Sequence, residues 1–142
     1  MFKKMVVILV LLALLVTGCA KPAPTAAPAE TFRVAVVMPS ATTDMAFSQS
    51  MWNALIAIQE EMGGESALEI KYSENMFNVP DAASAIRDYA SQGFDVVFAH
   101  GSQYGSSVQE IAPDFPDVTF AWGTDVNTFG LSNVYAYTAA AE

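Results

Sequence analysis

The sequence predicts an α/β fold, a parallel sheet with helices on both faces. Three observations carry that prediction. Short β-branched apolar runs alternate with segments whose apolar residues recur every three or four positions. Glycines and prolines punctuate the junctions. Polar, glycine and aromatic residues collect in the stretches that follow the strands.

The elements follow in order along the chain. Phe32–Met38 (FRVAVVM) is a β-branched run halted at Pro39, a buried strand. Ala46–Met62 sets Phe47, Met51, Leu55, Ile58 and Met62 on one stripe and stops at Gly63-Gly64, an amphipathic helix. Leu68–Tyr72 is a second strand. Pro80–Ser91 is a helix, with Pro80 suited to the first turn and Gly93 to the C-terminal cap. Phe94–Ala99 is a third strand and Tyr104–Ala112 a shorter helix closed by Pro113 and Pro116. Val118–Trp122 and Asn133–Tyr137 complete the strands. Strands alternating with helices imply right-handed crossovers and a parallel sheet.

Ligands of such sheets sit beyond the carboxyl ends of the strands, where the strand order reverses. Three loops are therefore the candidate site. Pro39–Met45 carries Ser40, Thr42, Thr43 and Asp44, with Phe47 at the helix start; Asp44 or Thr43 suits an N-cap, alone or together with ligand contact. The second loop carries His100, Gly101, Ser102, Gln103 and Tyr104, and the third Thr124, Asp125, Asn127 and Phe129. Gly101-Ser102 suits an anion cradle or a plain tight turn.

Ahead of this domain, Lys3 and Lys4 precede Met5–Val16, an uninterrupted apolar run. It is shorter than the ~20 residues a spanning helix needs and has the layout of a secretory signal. Val16-Thr17-Gly18-Cys19 resembles the bacterial lipobox, with Cys19 as the residue that receives acyl chains. Cys19 is the only cysteine, so it has no disulfide partner within the chain. Residues 1–18 are expected to be a lipoprotein signal peptide. Residues 19–30, with Pro22, Pro24 and Pro28, are expected to be a lipidated Cys and a semi-extended tether. Residues 31–142 are then one α/β lobe.

After signal removal four basic side chains (Lys21, Arg33, Lys71, Arg87) face 15 acidic ones, a net charge of −11. Such a surface repels nucleic acid and anionic lipid, so the membrane partner is reached through the anchor. With one His and no free Cys beyond the anchor, the sequence implies no metal and no other cofactor.

Three segments resemble one family. TTDMAFSQSMWNAL (Thr42–Leu55) resembles the D-x-S-F-N-Q-x-x-x-x-G segment of the basic membrane protein family, the lipoprotein receptors of ABC importers. HGSQYG (His100–Gly105) and FPDVTFAWGT (Phe115–Thr124) resemble its second and third ligand-side loops, in order and spacing. The resemblance implies the N-terminal lobe of a type I periplasmic-binding-protein fold. It also implies an extracytoplasmic, membrane-anchored receptor for a nucleoside or related small polar solute, served by an ABC permease. Asp44 and Phe47 match the loop-one positions, where the Phe stacks on the base. Ser48 stands where the family usually carries Asn. Thr124 and Asp125 compete for the place of a family aspartate. The chain stops where the family continues into a second lobe, so the expected whole is the N-terminal portion of a longer receptor or a truncated product.

The residues also admit other readings. His100, Ser102 and Asp125 could form the triad of a surface-anchored hydrolase, although Ser102 lacks the G-x-S-x-G elbow. A truncated lipoprotein that binds nothing and a receiver-like signalling domain share the same alternation. The loop aromatics Phe47, Tyr104, Trp122 and Phe129 are expected to lie exposed where a second lobe would meet this one.

Overall fold

The computed structural model describes residues 30–138; Cys19, the expected signal segment and most of the expected tether lie outside them. Strand β1 (Phe32–Val37) threads between two parallel neighbours, pairing Val34 with Ile70 of β2 (Leu68–Ser73) and with Val96 of β3 (Val96–Ala99). Strands β4 (Thr119–Gly123) and β5 (Val134–Tyr137) extend the sheet, giving the order β2-β1-β3-β4-β5 with every pairing parallel. The chain steps from β1 out to β2 and then returns across β1 to β3. The order therefore reverses between β1 and β3, and their carboxyl ends open the crevice that such sheets offer to ligands.

Side chains alternate across each strand, and the two faces are covered unequally. Ala35, Val37, Val97, Ala99, Phe120, Trp122 and Val134 pack against helices α2 (Val79–Ser91) and α3 (Gly105–Ile111) through Ala82, Ile86, Ala90, Val108 and Ile111. Val34, Val36, Met38 and Leu68 meet α1 (Phe47–Met62) through Leu55. On the described residues α1 alone covers that second face, so its predicted stripe is only partly engaged. Leu55 is buried, while Ile58 and Met62 at its far end stay exposed. Buried Ser48 takes the core-facing place at the helix start that the stripe assigned to Phe47.

Most elements lie where the sequence puts them, and the departures have local causes. Strand β3 begins at Val96 rather than Phe94. The ring of Phe94 turns into the core instead, edge-on to Tyr89 and beneath the Arg33 guanidinium, 4.1 Å from its centroid. The short helix expected over Tyr104–Ala112 is an α-helix only between two 3₁₀ turns, Ser102–Tyr104 and Ala112–Asp114. Its first residue, Gly105, lies against Trp122, where a Cβ would stand 2.3 Å from the indole. Helix α1 ends at Gly63 in the left-handed conformation, with φ +109°, as the Gly-Gly stop requires.

The amino-terminal edge is built for cohesion. Arg33 bonds Glu69 at 3.0 Å and the carbonyls of Gln92 and Gly93. Asp95 accepts the Arg33 N–H at 2.7 Å. The opposite edge is built differently.

Candidate functional site

At the carboxyl edge, the loop after β1 is knotted around one carboxylate. Asp44 Oδ1 accepts the backbone N–H groups of Ala46 (2.8 Å) and Gln49 (3.1 Å), and Oδ2 accepts that of Ser48 (3.2 Å) and the hydroxyl of Ser40. Two free amides of the first helical turn, those of Ser48 and Gln49, are thereby satisfied from Asp44, two residues before the formal cap Ala46, which makes no side-chain cap bond. The Ser40 hydroxyl, together with those amides, holds the Asp44 carboxyl at about 2, well below the usual carboxylate range. A carboxylate offers about four acceptor sites, and here four donors use them. Ser40 is held in turn by buried Ser48, whose hydroxyl lies 2.8 Å away. Met45, inside the knot, has φ +57°.

The knot presents Phe47 at the first position of α1. Its ring stacks on the imidazole of His100 from the end of β3, with centroids 3.7 Å apart and planes 12° apart. His100 Nε2 lies 3.1 Å from the carbonyl oxygen of Phe47 itself, and a carbonyl only accepts, so Nε2 carries the proton. In the neutral ring Nδ1 then accepts from the Tyr137 hydroxyl at 2.8 Å. Burial pushes the imidazole below its ordinary value and raises the Tyr137 phenol, so both are neutral near pH 7. Phe47 is 36% exposed and His100 only 4%. The ring has one covered face and leaves much of its remaining surface to solvent.

Other predicted site residues divide between the surface and the core. Ser102 is exposed, Gln103 half-buried, and Gly101 buried, its carbonyl taken by the Trp122 indole N–H at 3.1 Å. Two of the four loop aromatics expected to lie exposed are core residues. Tyr104 is wholly buried: its ring joins the face under α2 and α3, and its hydroxyl donates to the Met76 carbonyl at 2.8 Å. Trp122 is 5% exposed and stacked on half-buried Phe129, centroids 5.0 Å apart, because the register of β4 aims residue 122 at α3. Thr124 is exposed at φ +70°, and Asp125 folds back to accept the N–H groups of Val126 and Asn127. The postulated triad does not assemble, since the imidazole nitrogens of His100 engage Phe47 and Tyr137 rather than Ser102 and Asp125.

Backbone strain concentrates on this same edge. All four non-glycine residues with positive φ among the described residues, Met45, Asn75, Thr124 and Phe129, fall in loops that follow β1, β2 and β4. Such conformations cost of order 1–3 kcal/mol each and persist where the surroundings hold them. The surroundings are visible. Glu74 accepts both the N–H (2.7 Å) and the hydroxyl (2.9 Å) of Thr42, and Asn75 and Met76 donate to the Ser40 and Met38 carbonyls. These partners, and Tyr137, escaped sequence reasoning; Tyr137 closing a strand beside the crevice is the signal that could have found it. A groove of about 450 Å³, lined by Ser73, Met76, Asp81, Asp88 and Tyr89, runs along α2 from the carboxyl end of β2, and neither Phe47 nor His100 lines it.

Comparison with known proteins gives a consistent result. Residues 31–138 match the family described as Bmp, ABC transporter substrate-binding protein PnrA-like. An ABC transporter solute-binding protein from Conexibacter woesei superimposes with a TM-score of 0.62 at 26% identity, over 76% of this chain and 35% of that one. One from Aeropyrum pernix gives 0.60 at 19% identity over 75% of this chain and 28% of that one, a likeness of fold. The transcriptional activator protein Med of Bacillus subtilis is 25% identical over 75% of this chain and 32% of its own length. The chain thus spans about a third of the length of these relatives. Its family match and its all-parallel five-strand sheet agree: the chain belongs to the Bmp family of PnrA-like ABC transporter substrate-binding proteins.

Proposed function

We propose that this chain forms the first lobe of a lipid-anchored, extracytoplasmic solute receptor of an ABC importer, with a nucleoside or related small polar solute as ligand. The observation that carries the reading is Phe47. An apolar ring held flat at a ligand-side crevice by a buried imidazole is a stacking face for a planar base. Exposed Ser102, Thr124 and half-buried Asp125 supply polar groups around the crevice for a ribose or base edge. Asp44, with its acceptor sites already filled, serves by shaping the loop. Cys19 behind its apolar run supports anchoring through acyl chains, the acidic surface argues against a nucleic-acid partner, and the family match supports a permease as partner. Binding without turnover fits the engagement of His100 with Phe47 and Tyr137.

Phe47→Ala tests the reading. Base–aromatic stacking contributes about 1–3 kcal/mol, so the affinity for inosine should fall at least several-fold. Phe47 is partly exposed, so the loss of stability should stay below the ~3–5 kcal/mol typical of a buried Phe. Unchanged inosine affinity in a strongly destabilised variant would assign Phe47 to the core instead.

A further inference from the structure

We propose that His100 and Tyr137 are positioning residues for the solute site, and that a hydroxyl on β5 fixes the aromatic platform on α1 by way of a histidine on β3. The inference rests on the solute-receptor reading above and names what makes its stacking face rigid.

Phe47 stands at a loop-to-helix junction and outside both hydrophobic clusters, so packing alone does not fix its ring. One imidazole holds it twice. His100 stacks on the ring at 3.7 Å and donates Nε2–H to the same residue's backbone carbonyl at 3.1 Å. That grip needs the Nε2–H tautomer and a ring that does not rotate. Tyr137 supplies both by donating its hydroxyl to Nδ1 at 2.8 Å. Tyr137 is itself confined: it packs edge-on to Phe98, and a Cβ at Gly123 on the paired strand would lie 2.8 Å from its hydroxyl oxygen. The contacts therefore run from β5 through β3 to α1, and residue 123 must lack a side chain for them to form. A platform fixed before the ligand arrives avoids an ordering cost on binding, which favours planar heteroaromatic solutes over those without a ring to stack.

The chain has a single histidine, so nitrogen NMR of labelled histidine reports on His100 without ambiguity. In the ligand-free chain the ring should show a protonated Nε2 and an accepting Nδ1, and the Phe47 ring protons should be shifted upfield by the stack. Tyr137→Phe should mix the tautomers and move the Phe47 signals toward those of a free side chain. It should also weaken inosine binding about tenfold, the loss of one buried hydrogen bond, with ribose binding unchanged. Gly123→Ala, which displaces the same hydroxyl from the other side, should give the same spectral signature. Tautomer and Phe47 shifts unchanged in Tyr137→Phe would overturn the proposal, as would equal losses for inosine and ribose, the mark of a merely structural role. Failure of the unaltered chain to bind inosine would instead count against the solute reading, while the ligand-free spectra still decide whether Tyr137 fixes Phe47.

Discussion

His100 and Asp44 both tie stability to acid. Burial lowers the His100 pKa from its ordinary 6.5, so between that value and the folded one the unfolded chain binds more protons. Its contribution is complete above 6.5 and is lost as pH falls through the lowered value. Asp44 is lowered from 3.8 to about 2 by Ser40 and the helix amides, so its contribution is present above 3.8 and lost as pH falls toward 2. Thermal melts from pH 7 to pH 3 should show melting temperature falling first below the imidazole range and again through the carboxylate range. His100→Gln should remove the first fall, and Asp44→Asn should shrink the second, to which Glu69, held low by its bond to Arg33, also contributes. A melting temperature that is flat or rises on acidification would contradict these environments. At this scale the sequence was legible in kind and not in pairing. It marked His100 and Phe47 as crevice residues, yet their stack joins positions 53 apart and exists only through the β1–β3 register. Tyr104 read as a ligand residue, and both it and Trp122 as aromatics exposed toward a second lobe; which face of the sheet they take is settled by strand register.

Among the elements, strands announced themselves through β-branched runs and α2 through Pro80 and Gly93. The cap of α2 is Asn78, whose side chain accepts the Asp81 N–H, a residue the composition of the loop did not single out. The short α3 was blurred at both ends: Gly105 answers to a tertiary contact with Trp122, while the helix passes into the 3₁₀ turn Ala112–Asp114 around Pro113. The connection from α3 to β4 has no long hydrophobic run and depends on one side chain. Asn133, just before β5, donates its two amide hydrogens, one of them shared, to the Ala112, Phe115 and Val118 carbonyls at 3.0, 3.0 and 3.1 Å. Asn133→Ala should cost about 1–3 kcal/mol in denaturant unfolding, because three partly buried acceptors lose their donor together. A loss within a few tenths of a kcal/mol would show that water replaces the amide freely.

The whole molecule has one edge built for cohesion and one for contact. Arg33 ties strands and helix ends together below the sheet, while strained loops and the Phe47 platform occupy the top. On the proposed reading the N-terminal segment anchors the protein through acyl chains on Cys19; within residues 30–138 no helix is long and apolar enough to cross a bilayer. Cys19→Ser should release the protein from membranes on fractionation, since several acyl chains on one residue account for firm anchoring at ~0.8 kcal/mol per buried methylene. Tight membrane association that survives Cys19→Ser would contradict the anchor.

A solute is expected to meet this sheet at the carboxyl ends of β1 and β3. Amide chemical-shift mapping of the chain bearing Cys19→Ser, titrated with inosine, reads that place directly. One wall of a pocket buries far less than the ~70–90% of a small ligand that a closed site covers, so binding should be weaker than micromolar. The shifts should gather at Ser40–Ser48, His100–Ser102 and Thr124–Asp125. Largest shifts along the groove beside α2, at Asp81–Tyr89, or sub-micromolar binding by the monomeric chain, would contradict this expectation.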